Sequence, residues 1–168
     1  MIIQTKRLKI ETNSLQHLDT TYEYFSDPET TKYTYFLPRS FEETKAFLIG
    51  AKLAEEKNPQ MDYELAIIYQ GVHVGSISLN LFDLKTAEIG WVLNKNYQHL
   101  GIATEAAFAL LEFAKTLGLE KIIAHCDTRN TPSYHLMEKL GMKRVSEGIR
   151  EYRDSRGLAK EYLYERKI

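Results

Sequence analysis

Hydrophobic and polar residues alternate along several short segments of the chain, and alternation with a period of two predicts β-strands. The segments are RLKIET, YELAIIY, HVGSISLNLF, TAEIGWVLN, KIIAHCD and two final stretches, from about Lys143 to Arg153 and from Leu158 to Arg166. The dipeptide QG lies between YELAIIY and HVGSISLNLF, which is typical of the tight turn of a β-hairpin. The pattern therefore predicts about seven strands.

Three other stretches have the sequence signals of helices. Ser40 and Glu43 have the spacing of a capping box, and Thr131 is placed to cap another helix with a proline in its first turn. An Ala/Leu-rich run from about Thr104 to Leu117 predicts the third helix. The order ββα-β-α-ββ around the centre predicts an α/β or α+β protein with a mixed sheet. The 168 residues are enough for a single domain, 1–168, with its own core.

Composition and charge exclude some classes of function. The net charge of −1 at pH 7 gives no electrostatic reason to expect nucleic acid or a membrane surface as a partner. No run approaches the roughly 18 apolar residues that a membrane span needs. The stretch MIIQTKRLKIET lacks the long apolar segment of a signal peptide. We therefore expect a cytoplasmic protein that has neither kind of partner.

Cysteine and histidine usage argues against a disulfide and against a metal site. A chain with one cysteine cannot form a disulfide framework, and Cys126 is expected to be a buried, reduced thiol. His17, His73, His125 and His135 show no spacing typical of metal ligands. The sequence therefore predicts no metal cofactor.

The segment YQHLGIATEAA raises the question of function, because it places one glycine directly before a helix. The first N–H groups of a helix have no partner within it, and they carry a positive partial charge. With Gly101 and the small Ala103 beside them, a pyrophosphate could reach these donors, and Gln98, His99 and Thr104 could add side-chain contacts. The alternative is an ordinary connection in which Gly101 only adopts a positive φ.

Other features bear on that choice. The chain contains neither G-x-x-x-x-G-K-[ST] nor G-x-G-x-x-G, so a nucleoside-triphosphate or dinucleotide site is poorly supported. Gly90 lies inside the strand that leads into the loop, where glycine often marks the close approach of a ligand. The segment NTPS opens a second helix directly after the next strand. Two such junctions side by side on a mixed sheet would form a ligand crevice.

The segment QHLGIA at 98–103 matches the Q/R-x-x-G-x-G/A motif of the GNAT superfamily of N-acetyltransferases. The segments KRLKIET, SDPETTKY, AEIGWVLNKNYQHLGIATEA and RNTPSYHLMEKLGMK resemble, in the expected order, its RimJ/RimL-like branch, which acetylates ribosomal-protein N-termini. This resemblance spans essentially the whole chain. It implies a mixed, mostly antiparallel central sheet of about seven strands flanked by helices. It also implies acetyl-CoA as donor and a primary amine as acceptor, here a protein N-terminus, in a monomer or homodimer.

The resemblance also implies which residues bind acetyl-CoA. The backbone amides of the loop would hold the pyrophosphate, and the pantetheine arm would pair with the preceding strand as another β-strand does. Asn130 would position the cofactor or an ordered water. The implied contacts, apart from Asn130, are Trp91, Val92, Leu93, Gln98, His99, Leu100, Gly101, Ile102, Ala103 and Thr104.

The catalytic residues that the resemblance implies are less sharply defined. Glu88 is the candidate base or water relay, because on an alternating strand it shares a face with Gly90 and Val92. Many family members have a tyrosine as the acid that protonates the thiolate, but Met137 occupies that position here. Ser133 matches the serine of N-x-x-S in the N-terminal branch and is the candidate acid. Tyr134 is the fallback.

Three alternatives remain open at this stage. The acceptor could be a small amine, an amino acid or an antibiotic, because family members differ mostly around the acceptor. The loss of the tyrosine at Met137 would suit a non-catalytic sensor that only binds CoA. A nucleotide-binding protein without acyl chemistry is the third. By resemblance, the acceptor site is covered by helices that carry an aromatic cluster, for which simple core and surface packing is the alternative: Tyr22, Tyr24, Phe25, Tyr33, Tyr35 and Phe36.

Overall fold

One open sheet of eight strands forms the centre of the structure, and helices pack on both of its faces. A computed structural model of the chain describes residues 1–152 and 154–168. The strands are β1 (Ile2–Gln4), β2 (Leu8–Thr12), β3 (Asp62–Tyr69), β4 (Val72–Leu81), β5 (Thr86–Leu93), β6 (Lys121–Asp127), β7 (Lys143–Glu151) and β8 (Leu158–Lys167). The helices are α1 (Leu18–Phe25), α2 (Pro28–Thr31), α3 (Phe41–Glu55), α4 (Ile102–Thr116) and α5 (Thr131–Lys139). Single 3₁₀ turns cover Leu15–His17 and Lys95–Tyr97.

The predicted α/β class and the mixed, mostly antiparallel sheet are confirmed, and the strand count is one higher than predicted. The additional strand is β1, which turns back on β2 so that Ile3 lies opposite Ile10. The predicted strand that ends at Arg153 is observed up to Glu151, and Arg153 lies outside the described residues.

Two helix boundaries also differ from the prediction. Helix α4 begins at Ile102 rather than near Thr104, because Gly101 in a left-handed conformation already serves as its N-cap. Asn130, not Thr131, is the N-cap of α5. The capping box of Ser40 and Glu43 at the start of α3 is present as predicted.

The strand order explains where a site can form. The order is β1-β2-β3-β4-β5-β6-β8-β7, and every neighbouring pair is antiparallel except β5 and β6, which are parallel. Helix α4 makes the crossover between these two strands. Helices α4 and α5 follow β5 and β6 directly, so both begin at the same edge of the sheet. That edge is the usual place for a ligand crevice in open α/β sheets.

Helix α4 covers one face of the sheet with a stripe of small and branched apolar residues. Ala106, Ala107, Leu110, Leu111 and Ala114 recur at helical spacing and are at most 1% exposed. They pack in one core with the inward side chains of β2 to β6. Cys126, Met137 and Met142 belong to the same core, as their apolar surroundings in the sequence suggest.

Polar contacts fix the first helices to the opposite face of the sheet. Asn13 Nδ2 donates to Ser76 Oγ over 3.0 Å, and Tyr24 Oη lies 2.7 Å from the same hydroxyl. His73 Nδ1 lies 2.7 Å from Thr20 Oγ1, and its other ring nitrogen bonds a backbone carbonyl. These contacts hold α1 on β4, beside the region where a substrate would approach β5.

The buried His73 makes the folding stability of the protein pH-dependent. Burial, with the nearby charge of His17, lowers the pKa of His73 from 6.5 to about 4. The unfolded chain therefore binds more protons than the folded chain between these values, and stability falls as the pH is lowered through this window. From pH 7 to pH 4.5 we expect His73 to contribute a loss of about 2 to 3 kcal/mol.

Urea unfolding of the wild type and of His73→Asn at pH 7 and pH 4.5 measures this contribution. The variant loses the hydrogen bond to Thr20 and is less stable at pH 7. Its deficit relative to the wild type should shrink, or reverse, at pH 4.5. An equal deficit at both values would contradict a neutral His73 in the folded protein.

Candidate active site

Strands β5 and β6 separate from each other within the sheet, and the separation leaves a gap that a ligand could enter. Their parallel register consists of Thr86 opposite Lys121, Ala87 opposite Ile122 and Glu88 opposite Ile123. Both strands then continue, β5 to Leu93 and β6 to Asp127, without pairing to each other. The backbone groups of β5 that face β6 beyond Glu88 are therefore free to pair with an extended molecule.

A run of free backbone amides follows the open part of β5. Gly101 has φ 75° and His99 has φ 62°, both in the left-handed region. Within the described residues, the backbone N–H groups from His99 to Thr104 donate no hydrogen bond to any other part of the backbone. Successive unpaired N–H groups at a helix N-terminus form a site for a phosphate or pyrophosphate.

The side chains around this loop are held by other parts of the chain. Gln98 donates its side-chain amide to the carbonyl of Leu93 over 3.2 Å, so it closes the end of β5. Arg7 donates to the carbonyl of Leu100 over 3.0 Å and pairs with Glu105 at 2.6 Å. Arg7 therefore places a cation beside the loop and balances the carboxylate of Glu105, which would otherwise repel an anion.

The residues predicted to contact the pantetheine arm divide between the two faces of β5. Val92 lies on the same face as Glu88 and Gly90, whereas Trp91 and Leu93 point to the opposite face, where they pack with the core. Val92 can thus offer a side chain to a ligand on the Glu88 face, and the other two only their backbone. A Cβ at Gly90 would lie 3.1 Å from Ser78 Oγ, so this face has little room for a side chain there.

Glu88 is paired with a histidine. His125 Nδ1 lies 2.8 Å from Glu88 Oε1, and the two side chains are 24% and 32% exposed. The pair forms because β6 places His125 two residues beyond Ile123, on the face that Glu88 shares. The hydrogen bond and charge of Glu88 raise the pKa of His125 above its usual value, against the effect of burial. The two side chains can act together on a proton near neutral pH.

The candidate acid residues lie in the first turn of α5. Ser133 and Tyr134 are both partly exposed, and neither hydroxyl is engaged in a hydrogen bond within the described part of the chain. Tyr134 packs edge-on against Tyr162 at 5.7 Å between ring centroids. Asn130 is the N-cap of α5, with no hydrogen bond from its side chain to the helix. These side chains therefore remain available to a ligand at the edge of the sheet.

The loop between α2 and α3 reaches over the Glu88 face and is fastened to the last two strands. Arg150 donates Nη1 to the carbonyl of Tyr33 over 2.8 Å and Nε to Glu161 over 2.6 Å. Its guanidinium lies 3.9 Å from the ring centroid of Tyr35, whose hydroxyl donates to the same Glu161. Arg150 is only 4% exposed, so this loop has a defined position next to Glu88 and His125.

The predicted aromatic cluster is divided between the core and this loop. Tyr24 and Phe25 are at most 3% exposed, whereas Tyr35 is 58% exposed. The guanidinium of Arg39 packs on the rings of Phe25 and Phe36, at 4.8 Å and 4.2 Å from their centroids. Phe25 and its neighbours therefore pack beneath the loop, whereas the ring of Tyr35 is exposed on it.

Comparison with known proteins identifies the family. The family model of the acetyltransferase (GNAT) domain matches residues 7–143. This chain belongs to the GNAT family. It is therefore an acetyl-CoA-dependent N-acetyltransferase by enzyme class. The uncharacterized N-acetyltransferase YnaD of Bacillus subtilis is 38% identical over 146 residues, which cover 86% of this chain and 84% of YnaD.

Solved GNAT structures have the same fold. A GNAT-family acetyltransferase from Bacillus anthracis is 32% identical, with a TM-score of 0.85, and the match covers 99% of this chain and 98% of that one. A RimL ribosomal L7/L12 α-N-protein acetyltransferase in complex with coenzyme A is 18% identical, with a TM-score of 0.86, over 100% of this chain and 98% of that one. The whole described sheet and its helices thus correspond to a GNAT domain.

Several residues of this GNAT site carry no signal in the sequence. In the sequence, His125 is a single polar residue within an apolar strand. Its contact with Glu88 depends on the parallel register of β5 and β6. Arg150 lies far along the chain from Tyr33, which it holds. Arg7 lies in the first strand segment, and its ion pair with Glu105 appears only when β2 packs beside α4.

The described residues include no metal-binding group and no reactive thiol. No set of three His, Cys, Asp or Glu side chains in the described ranges could hold a metal ion. Burial raises the pKa of Cys126 to about 11, which leaves the thiol protonated and unreactive. No helix in the described ranges is long and apolar enough to cross a membrane.

Proposed function

We propose that this GNAT enzyme transfers an acetyl group from acetyl-CoA directly to the α-amine of a peptide or protein N-terminus. The observation that carries the proposal is the gap between β5 and β6, which continues into the free amides before α4. The gap suits an extended arm, and the amides suit a pyrophosphate. Together they have the order that acetyl-CoA requires, with its reactive end toward Glu88 and His125.

The backbone of this chain would bind the donor. The amides from His99 to Thr104 would hold the pyrophosphate, with the positive end of α4 behind them. Those backbone groups of the segment from Trp91 to Leu93 that face the gap would pair with the pantetheine arm. A backbone N–H near Val92 would donate to the thioester oxygen as negative charge develops, a contribution of about 3 kcal/mol in other acyl-transfer enzymes.

The acceptor amine would approach from the Glu88 face. The acceptor ammonium first gives up one proton to the Glu88–His125 pair. Its nitrogen then forms a bond to the acetyl carbon, and the carbon–sulfur bond breaks. The thiolate takes a proton from a hydroxyl, for which Ser133 is the first candidate and Tyr134 the second, and the second proton of the nitrogen restores that hydroxyl. Both residues are partly exposed in the first turn of α5, where a hydroxyl can donate to sulfur.

The basicity of the pair favours an α-amine over a lysine-type amine. An α-amine with a pKa of about 7.8 is neutral in roughly one molecule in seven at pH 7, whereas a side-chain amine with a pKa of about 10.4 is neutral in roughly one in 2,500. The Glu88–His125 pair is partly exposed, and the pKa of its imidazole is shifted upward from the ordinary value of 6.5. Such a pair can deprotonate an α-amine with little energetic cost.

The test combines binding and turnover. Calorimetric titration with acetyl-CoA, CoA and ATP should give micromolar binding of the first two and none of ATP. Thiol release, detected with DTNB, should then occur with a peptide that has a free N-terminus and one internal lysine. The same peptide with an acetylated N-terminus should release no thiol.

Each of the other outcomes would contradict a different part of the proposal. Thiol release with spermidine but with neither peptide would make the acceptor a small amine. Tight acetyl-CoA binding without thiol release from any amine would contradict catalysis and favour a CoA sensor. Absence of CoA binding would contradict the assignment of the gap and the loop.

A further inference from the structure

We propose that His125 Nε2 is the atom that takes the proton from the acceptor amine, and that Glu88 orients the imidazole rather than acting as the base itself. This inference rests on the proposed function and assigns the proton-accepting role within it. It rests on the geometry of the pair, on the free ring nitrogen and on the charges around it.

The hydrogen bond leaves one nitrogen of His125 free. Nδ1 is bonded to Glu88 Oε1 at 2.8 Å, and this is the one hydrogen bond that the ring of His125 makes within the described ranges. An ionised carboxylate only accepts, so the neutral imidazole donates from Nδ1 and carries its lone pair on Nε2. This is the arrangement in which a carboxylate fixes the tautomer of a histidine base in other acyl-transfer enzymes.

The position of His125 also suits the role. The side chain lies on β6, at the edge of the gap that β5 leaves beyond Glu88. It is 24% exposed, so it can meet a bound amine or one intervening water. Glu88 lies where the two strands still pair, nearer to the closed end of the gap.

The surrounding charges stabilise a protonated imidazole. Glu88 on β5 and Glu161 on β8 raise the pKa of His125, while Arg150 on β7 lowers it. Arg150 is itself paired with Glu161 at 2.6 Å, which reduces its effect. Tyr35 from the α2–α3 loop donates its hydroxyl to the same Glu161 over 2.6 Å. Asp127, two residues along β6, is occupied by hydrogen bonds from Arg129 and Tyr152. An ordinary imidazole, with a pKa of about 6.5, is already more basic than an ordinary glutamate at about 4.3.

The proton balance follows from this tautomer. The ammonium of the acceptor loses one proton to Nε2, and the imidazolium keeps its Nδ1–H bond to Glu88. The neutral amine then attacks the acetyl carbon, and the carbon–sulfur bond breaks. The nitrogen loses its second proton by way of the Ser133 hydroxyl, which gives one proton to the leaving thiolate and takes one from the nitrogen. After the product leaves, Nε2 releases the proton to solvent, and the starting tautomer returns without any rotation of the ring.

The first test needs no substrate. Nitrogen-15 NMR of the wild type, with the His125 signals assigned by comparison with His125→Ala, reads the tautomer at high pH. We expect the proton on Nδ1, and we expect Glu88→Gln to lower the measured pKa of His125. A neutral imidazole protonated on Nε2 would overturn the proposal, because that nitrogen could then accept nothing.

The second test compares two variants in the turnover assay. His125→Ala should lower kcat/KM by about 100-fold or more, and added imidazole should restore part of the activity. Glu88→Gln keeps an acceptor for Nδ1–H, so it should lose only about tenfold. In the pH profile of kcat/KM, the fall in activity on the acid side should occur at lower pH for Glu88→Gln than for the wild type, because the pKa of His125 is lower in the variant. Acetyl-CoA affinity should stay unchanged in both variants.

The outcomes separate this inference from the function on which it rests. A larger loss in Glu88→Gln than in His125→Ala, without rescue by imidazole, would make Glu88 the base and overturn the inference alone. A wild type that releases no thiol with any amine would overturn the proposed function and the inference with it.

Discussion

We expect Gly101→Val to weaken acetyl-CoA binding by about a hundredfold or more. Gly101 has φ 75°, which a β-branched residue adopts only with strain. Relaxation of that strain would turn the amides beside it away from the pyrophosphate. Loss of two hydrogen bonds to a charged group, at about 1.5 kcal/mol each, accounts for an effect of this size. Calorimetric titration with acetyl-CoA measures it.

Gly118→Val is the matched control for this variant. Gly118 has φ 78° at the opposite end of α4, and no atom lies within 4 Å of a Cβ built there. Both variants should lose folding stability through similar backbone strain, of roughly 1–2 kcal/mol. Only Gly101→Val should lose acetyl-CoA affinity. Equal affinities in the two variants would show that the loop does not hold the pyrophosphate.

We expect Arg150→Ala to lower the free energy of unfolding by about 3 kcal/mol, because it leaves the partly buried carboxylate of Glu161 without its charged partner. The side chains of Arg150 and Glu161 are 3% and 14% exposed. The variant also frees the carbonyl of Tyr33 and the ring of Tyr35, so the α2–α3 loop should lose its fixed position. The KM for the acceptor should therefore rise, while acetyl-CoA affinity stays the same.

A double-mutant cycle in urea unfolding tests this assignment. The double variant Arg150→Ala with Glu161→Ala should be less destabilised than the sum of the single variants, because no unpaired charge remains. Lys160→Ala, which breaks an exposed ion pair with Glu147 on the same two strands, should change stability little. Additive single effects would mean that Arg150 and Glu161 do not depend on each other.

The architecture is predictable because most of it is encoded locally. Alternation gives β3, β4 and β5 their inward and outward faces, and the turn at Gln70 and Gly71 follows from their sequence. The free amides before α4 are likewise a local property, since a helix that begins just after Gly101 must leave its first N–H groups unpaired.

The catalytic face is less predictable because it is assembled from distant segments. Glu88 could be placed on its face from β5 alone, but its partner His125 depends on the register of a parallel pair across α4. The contact of Arg150 with Tyr33 depends on how the final hairpin lies against the α2–α3 loop. Likewise, β1 is too short to show alternation, and its pairing with β2 decides that it is a strand.

The gap between β5 and β6 has a consequence for the mechanics of the whole sheet. Within the described sheet, the backbone ladder between strands β1 to β5 and strands β6, β8 and β7 consists of three paired positions at one end. A donor that pairs along the gap supplies the missing ladder and completes the sheet. Binding should therefore stiffen the seam between the two parts, and amide exchange should slow along β5 and β6 far beyond the atoms that the donor touches.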